Sequence, residues 1–260
     1  MEKEYYSQYF ELEDKNWVFR ARRNIAVSVI KKYINNINNI NRINNKNKPM
    51  NILDVGTGTG VMMGSLNKLG NTTGLDFSDE SVKFCRRRGF NNVFKGEANN
   101  IPFESSTFDL VCAMDILEHL DEDSGAMKEF KRVLRPGGFV FITVPAYMFL
   151  WGSHDIINMH KRRYEIGQII DLYKMSGFSI LKVTYFNSIL FPIVASVRLL
   201  KRILRKGEFK AKSDFFELPY SVNKILEWIF SAEAYLLKYF NFPFGVSILC
   251  IGKKKENENE

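Results

Sequence analysis

Hydrophobic positions along the chain follow two different periods. From residue 5 to residue 34 apolar and aromatic side chains recur at helical spacing, Trp17, Phe19, Ile25, Val29 and Ile30 among them, and predict one or two N-terminal helices. Beyond Pro49 short apolar runs take over: "NILDVG", "TTGLDF", "NVFKGEA", "FDLVCAMD", "GGFVFITVP" and "FSILKVTYF". Between them lie the helical patterns "VMMGSLNKLG", "SDESVKFCRRRG" and "SGAMKEFKRVLRPGG", the last closing on a Pro-Gly-Gly that should stop the helix and turn into a strand. Strands alternating with helices predict an α/β fold whose parallel sheet is covered on both faces. "VSILCIGKKK" reads as one further strand near the end.

Two segments depart from the alternation. "NNINNINRINNKNKP", residues 35–49, is rich in asparagine, a poor helix former that favours turns, and is expected to be a linker or a frayed helix end. Residues 188–242 carry two helical patterns, "SILFPIVASVRLLKRILRK" and "PYSVNKILEWIFSAEAYLLKYF", as an insertion before the last strand. Arg198 interrupts the apolar stretch Ile189–Val197, which leaves it short of the ~18 residues of a membrane-spanning helix. The expected organisation is N-terminal helices and linker over 1–48, a domain over 49–253 containing the insertion, and a charged, disordered tail over 254–260.

Composition narrows the partners. The formal net charge is +8, but the cations are scattered over helices instead of being gathered with aromatic readers, so no nucleic-acid partner is expected. The densest basic run, "RLLKRILRK", could form an amphipathic face for anionic lipid, and peripheral membrane contact through 188–240 is an expectation. Cys85, Cys112 and Cys250 stand far apart without a CxxC pair, which predicts neither a disulfide framework nor a zinc site and suits a reducing, cytoplasmic setting. The acidic, aromatic start "MEKEYYSQYFELEDKNW" lacks the features of a signal peptide, so no secretion is expected.

The candidate chemistry begins in "NILDVGTGTGVM", where a strand ends at Asp54 and breaks into Gly56, Gly58 and Gly60 with Thr57 and Thr59 between them. Glycines let the backbone turn tightly and a ligand approach it, so strand, turn and helix make a cradle. A nucleotide-phosphate loop would need Gly-Lys-Ser/Thr at its end, and here Val61 and Met62 follow Gly60. A dinucleotide turn would place its third glycine one residue later, and Asp54 would face the incoming pyrophosphate, which disfavours an NAD-dependent oxidoreductase. Asp54 suits a cationic or neutral ligand instead. Asp76, at the end of the second strand, can accept both hydroxyls of a ribose, with Phe77 against an adenine ring; alternatively Asp76 caps the helix that follows.

"LDVGTGTG", "GLDFS", "GEANNIPFESSTFDLV", "LEHL" and "EFKRVLRPGGFVFITVP", in this order between Asn51 and Phe186, resemble the class I S-adenosylmethionine-dependent methyltransferases, nearest the type 11 or type 23 small-molecule branch. The resemblance implies a Rossmann-like, doubly wound seven-stranded sheet, mostly parallel with an antiparallel last strand. It implies S-adenosylmethionine as cofactor, with Asp54, Gly56, Thr57, Gly58 and Gly60 around its methionine part, Asp76 and Phe77 at the nucleoside, and Glu97 with Ala98 at the adenine. Glu97 stands where the family more often has aspartate. Asp115, closing "FDLVCAMD", matches the position beside donor and acceptor, and can also be read as a helix cap.

The remaining candidates concern the acceptor. His119 in "LEHL" serves either as a buried structural histidine or in catalysis, whereas His154 and His160 lie in "WGSHDIINMHKRRYE", after the fifth strand, where such folds place binding loops. His154 and His160, together with Asp115 and His119, are the catalytic candidates, and Asp155, Arg163 and Tyr164 are expected to bind the acceptor. His154, Asp155 and His160 could also ligate a metal, but the resembling family does not generally require one, and none is expected. "NWVFRARRNI" resembles an aromatic-arginine pattern that has Trp17, Phe19 and Arg22 close over the cofactor, with Arg22 near its carboxylate; a core-facing aromatic stripe with solvated arginines is the alternative. The expected function is methyl transfer to a small or lipid-linked acceptor, with a catalytically inactive cofactor-binding or membrane-peripheral module as the alternative.

Overall fold

A computed structural model of the protein describes residues 3–43, 49–204 and 218–256. Helices α1 (Lys3–Leu12) and α2 (Trp17–Ile43) precede β1 (Met50–Val55), α3 (Met63–Leu66), β2 (Gly70–Asp76), α4 (Asp79–Arg87), β3 (Val93–Lys95) and β4 (Phe108–Met114). The chain continues through α5 (Asp123–Val133), β5 (Leu134–Pro145), α6 (Ser153–Ile157), α7 (Ile166–Met175), β6 (Phe178–Phe186), α8 (Phe191–Leu204), α9 (Tyr220–Leu236) and β7 (Ser247–Lys254). The seven strands lie in the order β3-β2-β1-β4-β5-β7-β6. β7 runs antiparallel between β5 and β6, and the other pairings are parallel. This is the Rossmann-like, doubly wound sheet with an antiparallel last strand that the sequence predicts.

The apolar runs are nearly continuous because both faces of the sheet are covered. Alternate residues go to opposite cores: Ile52, Leu110, Cys112, Phe139 and Phe141 pack with Ile25, Val29 and Ile30 of α2, whereas Leu53, Val111, Val140 and Ile142 pack with Met127 and Phe130 of α5 and Ile169 of α7. All three cysteines are buried and free.

Local chemistry sets several boundaries. Asn16 separates α1 from α2, its side-chain oxygen accepting from the Val18 amide at 2.9 Å as a helix cap does. α2 then runs on to Ile43, inside the stretch expected to be a linker or helix end, because isoleucine recurs every third residue and a helix under way adds residues more readily than it starts. The Pro-Gly-Gly does not separate α5 from its strand: β5 begins at Leu134, opposite Phe108, and Gly137 takes φ +77° inside an irregularity of that pairing. Lys254, placed in the charged tail by its composition, ends β7 with its ammonium on the carbonyls of Lys131 and Leu134.

The insertion packs through α9, whose Ala234, with Leu237 just beyond its end, joins the core beneath α2. Glu233 holds it to the end of β6 by accepting from the amides of Asn187 and Ile189, both at 2.8 Å. Much of the basic run 198–206 falls outside the described side chains. Among the described residues no helix is long and apolar enough to cross a membrane.

Candidate functional site

The strand order reverses between β1 and β4, and the crevice at the carboxyl ends of the strands there is where open α/β sheets bind ligands. Several chain exits at this edge take left-handed backbone: Gly56 after β1 (φ +74°), Asp115 after β4 (φ +54°), Tyr147 after β5 (φ +57°) and Asn187 after β6 (φ +58°). A non-glycine residue held this way costs on the order of 1–3 kcal/mol, and such residues collect at functional sites.

At the β1 exit two glycines do different work. A Cβ on Gly56 would stand 1.8 Å from Ile116 Cδ1, whereas one on Gly58, at φ +55°, would meet nothing within 4 Å. Ile116 fills the space a side chain on Gly56 would need, and Gly58 borders open space. Gly60 lies close against Cys85, and Cys85 Sγ donates to Thr57 Oγ1. Asp76 tethers the turn: its carboxylate accepts from the Gly58 amide at 2.9 Å and the Ser78 amide at 3.0 Å. It thus also organises the start of α4, the alternative its position suggested. Beside it Phe77 is 65% exposed. The Gly96 amide donates to the Asp76 carbonyl at 2.9 Å, which brings exposed Glu97 and half-buried Ala98 to the same rim.

Asp54 is buried, and its Oδ2 has no hydrogen-bond partner. Burial first, and then the neighbouring Asp76, push its pKa up to about 8. A buried acceptor without a donor, next to an open glycine turn, suits a ligand that brings a donor or a positive charge.

The N-terminal segment closes this end, through Glu13 and Phe10 as well as the Trp17–Arg22 stretch from which closure is expected. Thr59 Oγ1 donates to Glu13, Arg88 Nε donates to the Thr59 carbonyl at 2.8 Å, and Arg88 also reaches the Phe10 carbonyl at 3.2 Å. Burial raises the Glu13 pKa to about 7, against the lowering effect of the Thr59 hydrogen bond. Nothing in "ELEDKN" marks Glu13 as different from its acidic neighbours.

Arg22 and Asp115, 93 residues apart, meet at the β4 exit, where Arg22 Nη2 donates to Asp115 Oδ2 at 2.5 Å. Arg22 also donates to Ser247 Oγ at 2.7 Å and lies over the Phe186 ring, and Thr143 Oγ1 donates to Asp115 at 3.1 Å. Burial alone would raise the Asp115 pKa, but the Arg22 guanidinium outweighs it and holds the carboxyl below its ordinary value. Arg22 therefore leaves the solvent for the site edge.

The loop between β5 and α7 is organised around buried Asp155. Its carboxylate accepts from Arg163 Nε at 2.8 Å and Nη2 at 3.0 Å, from the Gly152 amide at 2.8 Å, and bonds His160 Nδ1 at 2.9 Å. Arg163 also donates to the Ala146 carbonyl at 3.0 Å. Tyr164 is buried, its hydroxyl donating toward the Leu117 carbonyl and Asp123. Asp155, Arg163 and Tyr164 thus shape the loop from inside. His154 lies beside Asn158, whose Oδ1 accepts from the Tyr9 hydroxyl at 3.1 Å, so α1 reaches this side of the site too. The His160 ring meets the rings of His119 at 4.8 Å and His154 at 5.9 Å. Burial, then His160, lowers the His119 pKa to about 4, leaving a neutral imidazole at ordinary pH. Glu118, also overlooked in the sequence, is wholly buried within this group.

Residues 53–142 match the family described as "Methyltransferase domain". The chain is similar to a demethylmenaquinone methyltransferase of Chlorobaculum tepidum, 38% identical over 97 residues that cover 36% of this chain and 40% of that protein. It is also similar to a ubiquinone biosynthesis O-methyltransferase of Bordetella avium, 29% identical over 99 residues, 35% of this chain and 41% of that one. The match spans about two fifths of each relative's length. Among solved structures, an S-adenosylmethionine-dependent methyltransferase from Thermotoga maritima shares the fold, with a TM-score of 0.56 at 16% identity over 97% of this chain and 95% of that one.

By family match and relatives, residues 53–142 resemble the methyltransferase domain of the class I S-adenosylmethionine-dependent methyltransferases, and the Thermotoga maritima structure shares the fold of the sheet. The cofactor of that class is S-adenosylmethionine, and the residues present fit it: Asp54 offers an unsatisfied acceptor, Gly58 leaves open room, and Asp76 stands beside both.

Proposed function

We propose that the protein is an enzyme that transfers a methyl group from S-adenosylmethionine to a small, apolar or lipid-linked acceptor. The observation that carries this reading is the unpartnered, buried carboxylate oxygen of Asp54 beside the open Gly58 turn. In it Asp54, Gly56, Thr57, Gly58 and Gly60 hold the amino-acid end of the cofactor, Asp76 its ribose, and Phe77, Glu97 and Ala98 its adenine. When bound, the cofactor supplies a methyl group already activated on a sulfonium. What remains for the chain is to align the two partners and exclude water. Asp115, fixed by Arg22 and Thr143, stands at the junction of donor and acceptor. Proton removal from the acceptor falls to His154 or His160, in the loop that Asp155, Arg163 and Tyr164 brace, with His119 packed against it.

Titration calorimetry tests the donor half. Below pH 8 Asp54 is protonated in the free protein, whereas a bound cation favours its carboxylate, so binding releases a proton. Affinity for S-adenosylmethionine is therefore expected to rise as pH goes from 6 to 8, by at most about tenfold per unit, and then to level off. Asp54→Asn should bind more weakly and remove this rise. No binding of the cofactor or its demethylated product at millimolar concentration would sink the reading.

Support for an apolar acceptor comes from aromatic side chains near the β5 and β6 exits. Tyr147 stacks on Tyr185 at 5.0 Å, Phe191 lies 5.7 Å from Tyr147, and Phe244 lies 5.3 Å from Phe191. Ile193 and Trp228 leave apolar surface exposed on α8 and α9. Both relatives above carry quinone names, which agrees with such an acceptor. If this face also meets membranes, Ile193→Glu with Trp228→Glu should weaken sedimentation with phosphatidylglycerol-containing vesicles by about tenfold or more. Unchanged sedimentation would remove the membrane contact and leave the acceptor assignment standing.

A further inference from the structure

We propose that Glu118, His119 and His160 form a binding site for a divalent transition-metal ion, with Asp155 as the residue that orients His160. The ion has zinc-like ligand preferences, since two imidazoles and one carboxylate are a donor set that such cations favour over magnesium or calcium.

The site is built from two distant segments. Glu118 and His119 sit on the single turn Leu117–His119 after β4, and His160 follows α6 in the β5–α7 loop. One ligating atom from each of the three lies within 4.8 Å of the others. Zinc bonds of about 2.0–2.2 Å would set tetrahedral ligand atoms roughly 3.4 Å apart, so the group closes on an ion by small side-chain movements. His160 Nε2 and Glu118 Oε1 are already at 3.9 Å.

Two observations point to a cation and not to packing alone. First, both carboxylate oxygens of Glu118 are buried without a hydrogen-bond partner on another residue. A carboxylate in that position is costly unless it is protonated or faces a positive charge. The nearby arginines do not supply the charge directly: Arg163 is bonded to Asp155 and Arg22 to Asp115. Second, His160 Nδ1 lies 2.9 Å from the Asp155 carboxylate, an acceptor that takes Nδ1–H and turns the ring so that Nε2 faces Glu118. A carboxylate behind a histidine in this way orients the ring and strengthens it as a ligand. His119 is held by a hydrogen bond with the Met159 backbone, at a residue in left-handed conformation (φ +56°) that turns the chain into His160.

The set differs from the run His154, Asp155 and His160 that adjacency suggests. Asp155 is fully occupied by Arg163, His160 and the Gly152 amide, and His154 turns to Asn158. An ion on His160 Nε2 takes the lone pair that a proton acceptor needs, so in the metal-bound enzyme the base falls to His154. The site stands on its own residues and does not depend on methyl transfer.

The test reads metal on the full chain. After treatment with a chelator and dialysis, the protein is incubated with Zn2+ or Co2+, desalted, and analysed by inductively coupled plasma mass spectrometry and visible absorption. We expect about one equivalent per chain, with Co2+ bands of a four- or five-coordinate site. Glu118→Gln and His119→Gln should each weaken binding by about 10- to 100-fold, with circular dichroism and thermal melting verifying that each variant is folded. Wild-type protein that retains less than about a tenth of an equivalent would overturn the site. So would folded variants that bind as tightly as wild type. In either case Glu118 is a buried neutral acid. Calorimetry with S-adenosylmethionine on metal-free protein separates this outcome from failure of the donor site.

Discussion

Asp76→Ala is expected to weaken binding of the demethylated cofactor by at least about 100-fold in titration calorimetry. A hydrogen bond to a charged group contributes about 1.5–3 kcal/mol, and the ribose role proposed for Asp76 puts two hydroxyls on its carboxylate. The same side chain holds the Gly58 and Ser78 amides, so its loss also loosens the turn that must be ready when the ligand arrives. Asp76→Asn keeps an acceptor for one amide and should lose less, roughly tenfold. Burial is the largest influence on the Asp76 carboxyl and raises its pKa despite the hydrogen bonds it accepts. Wild-type affinity in both variants would show that Asp76 serves only as the cap of α4.

The largest effect on stability is expected at Asp155. Asp155→Ala leaves Arg163 buried with only the Ala146 carbonyl, and strands His160 Nδ1–H and the Gly152 amide at once. Removing one partner of a buried ion pair costs about 3–5 kcal/mol, because the other charge stays behind without compensation. For a chain of this size that corresponds to a fall in melting temperature of roughly 10 °C, measurable by calorimetry or circular dichroism. Asp155→Leu combined with Arg163→Met should lose less than the sum of the two single changes, since no charge is then stranded. Asp121→Ala, which breaks an exposed contact with Lys161, is the comparison and should leave the melting temperature unchanged within error. A drop at Asp155 no greater than that would mean the buried network contributes nothing to stability.

How much of this site could be read in advance depends on the distance over which each residue acts. The cradle was legible because its parts are consecutive: a strand, Asp54, alternating glycines, and an acid at the end of the next strand. The parallel pairing of β1 with β2 then sets Asp54 opposite Gly74 and brings the two strand ends together. The loop from His154 to Tyr164 stood out in the sequence as one polar segment, whereas the partners of its side chains did not. Arg163 and Tyr164 read as acceptor-binding residues, and in the structure both are buried in bonds to the protein itself. Glu118 had a signal, a carboxylate next to a histidine in "LEHL", yet a helix face explains such a pair equally well. Glu13 and Tyr9 had none, because their partners Thr59 and Asn158 lie 46 and 149 residues away.

The sequence by itself determined the alternation of strands and helices, the two-faced core and the glycine turn, since each follows from periodicity or from residues within a few positions of one another. Only the tertiary structure decided which charges meet: Arg22 with Asp115, and Glu118 with His119 and His160. Burial also raises the pKa of the cradle's acids Asp54 and Glu13. The physical reason is that hydrophobic patterning is a local property of the chain, whereas the energy of a charge depends on the water it loses and on the partner that folding brings to it.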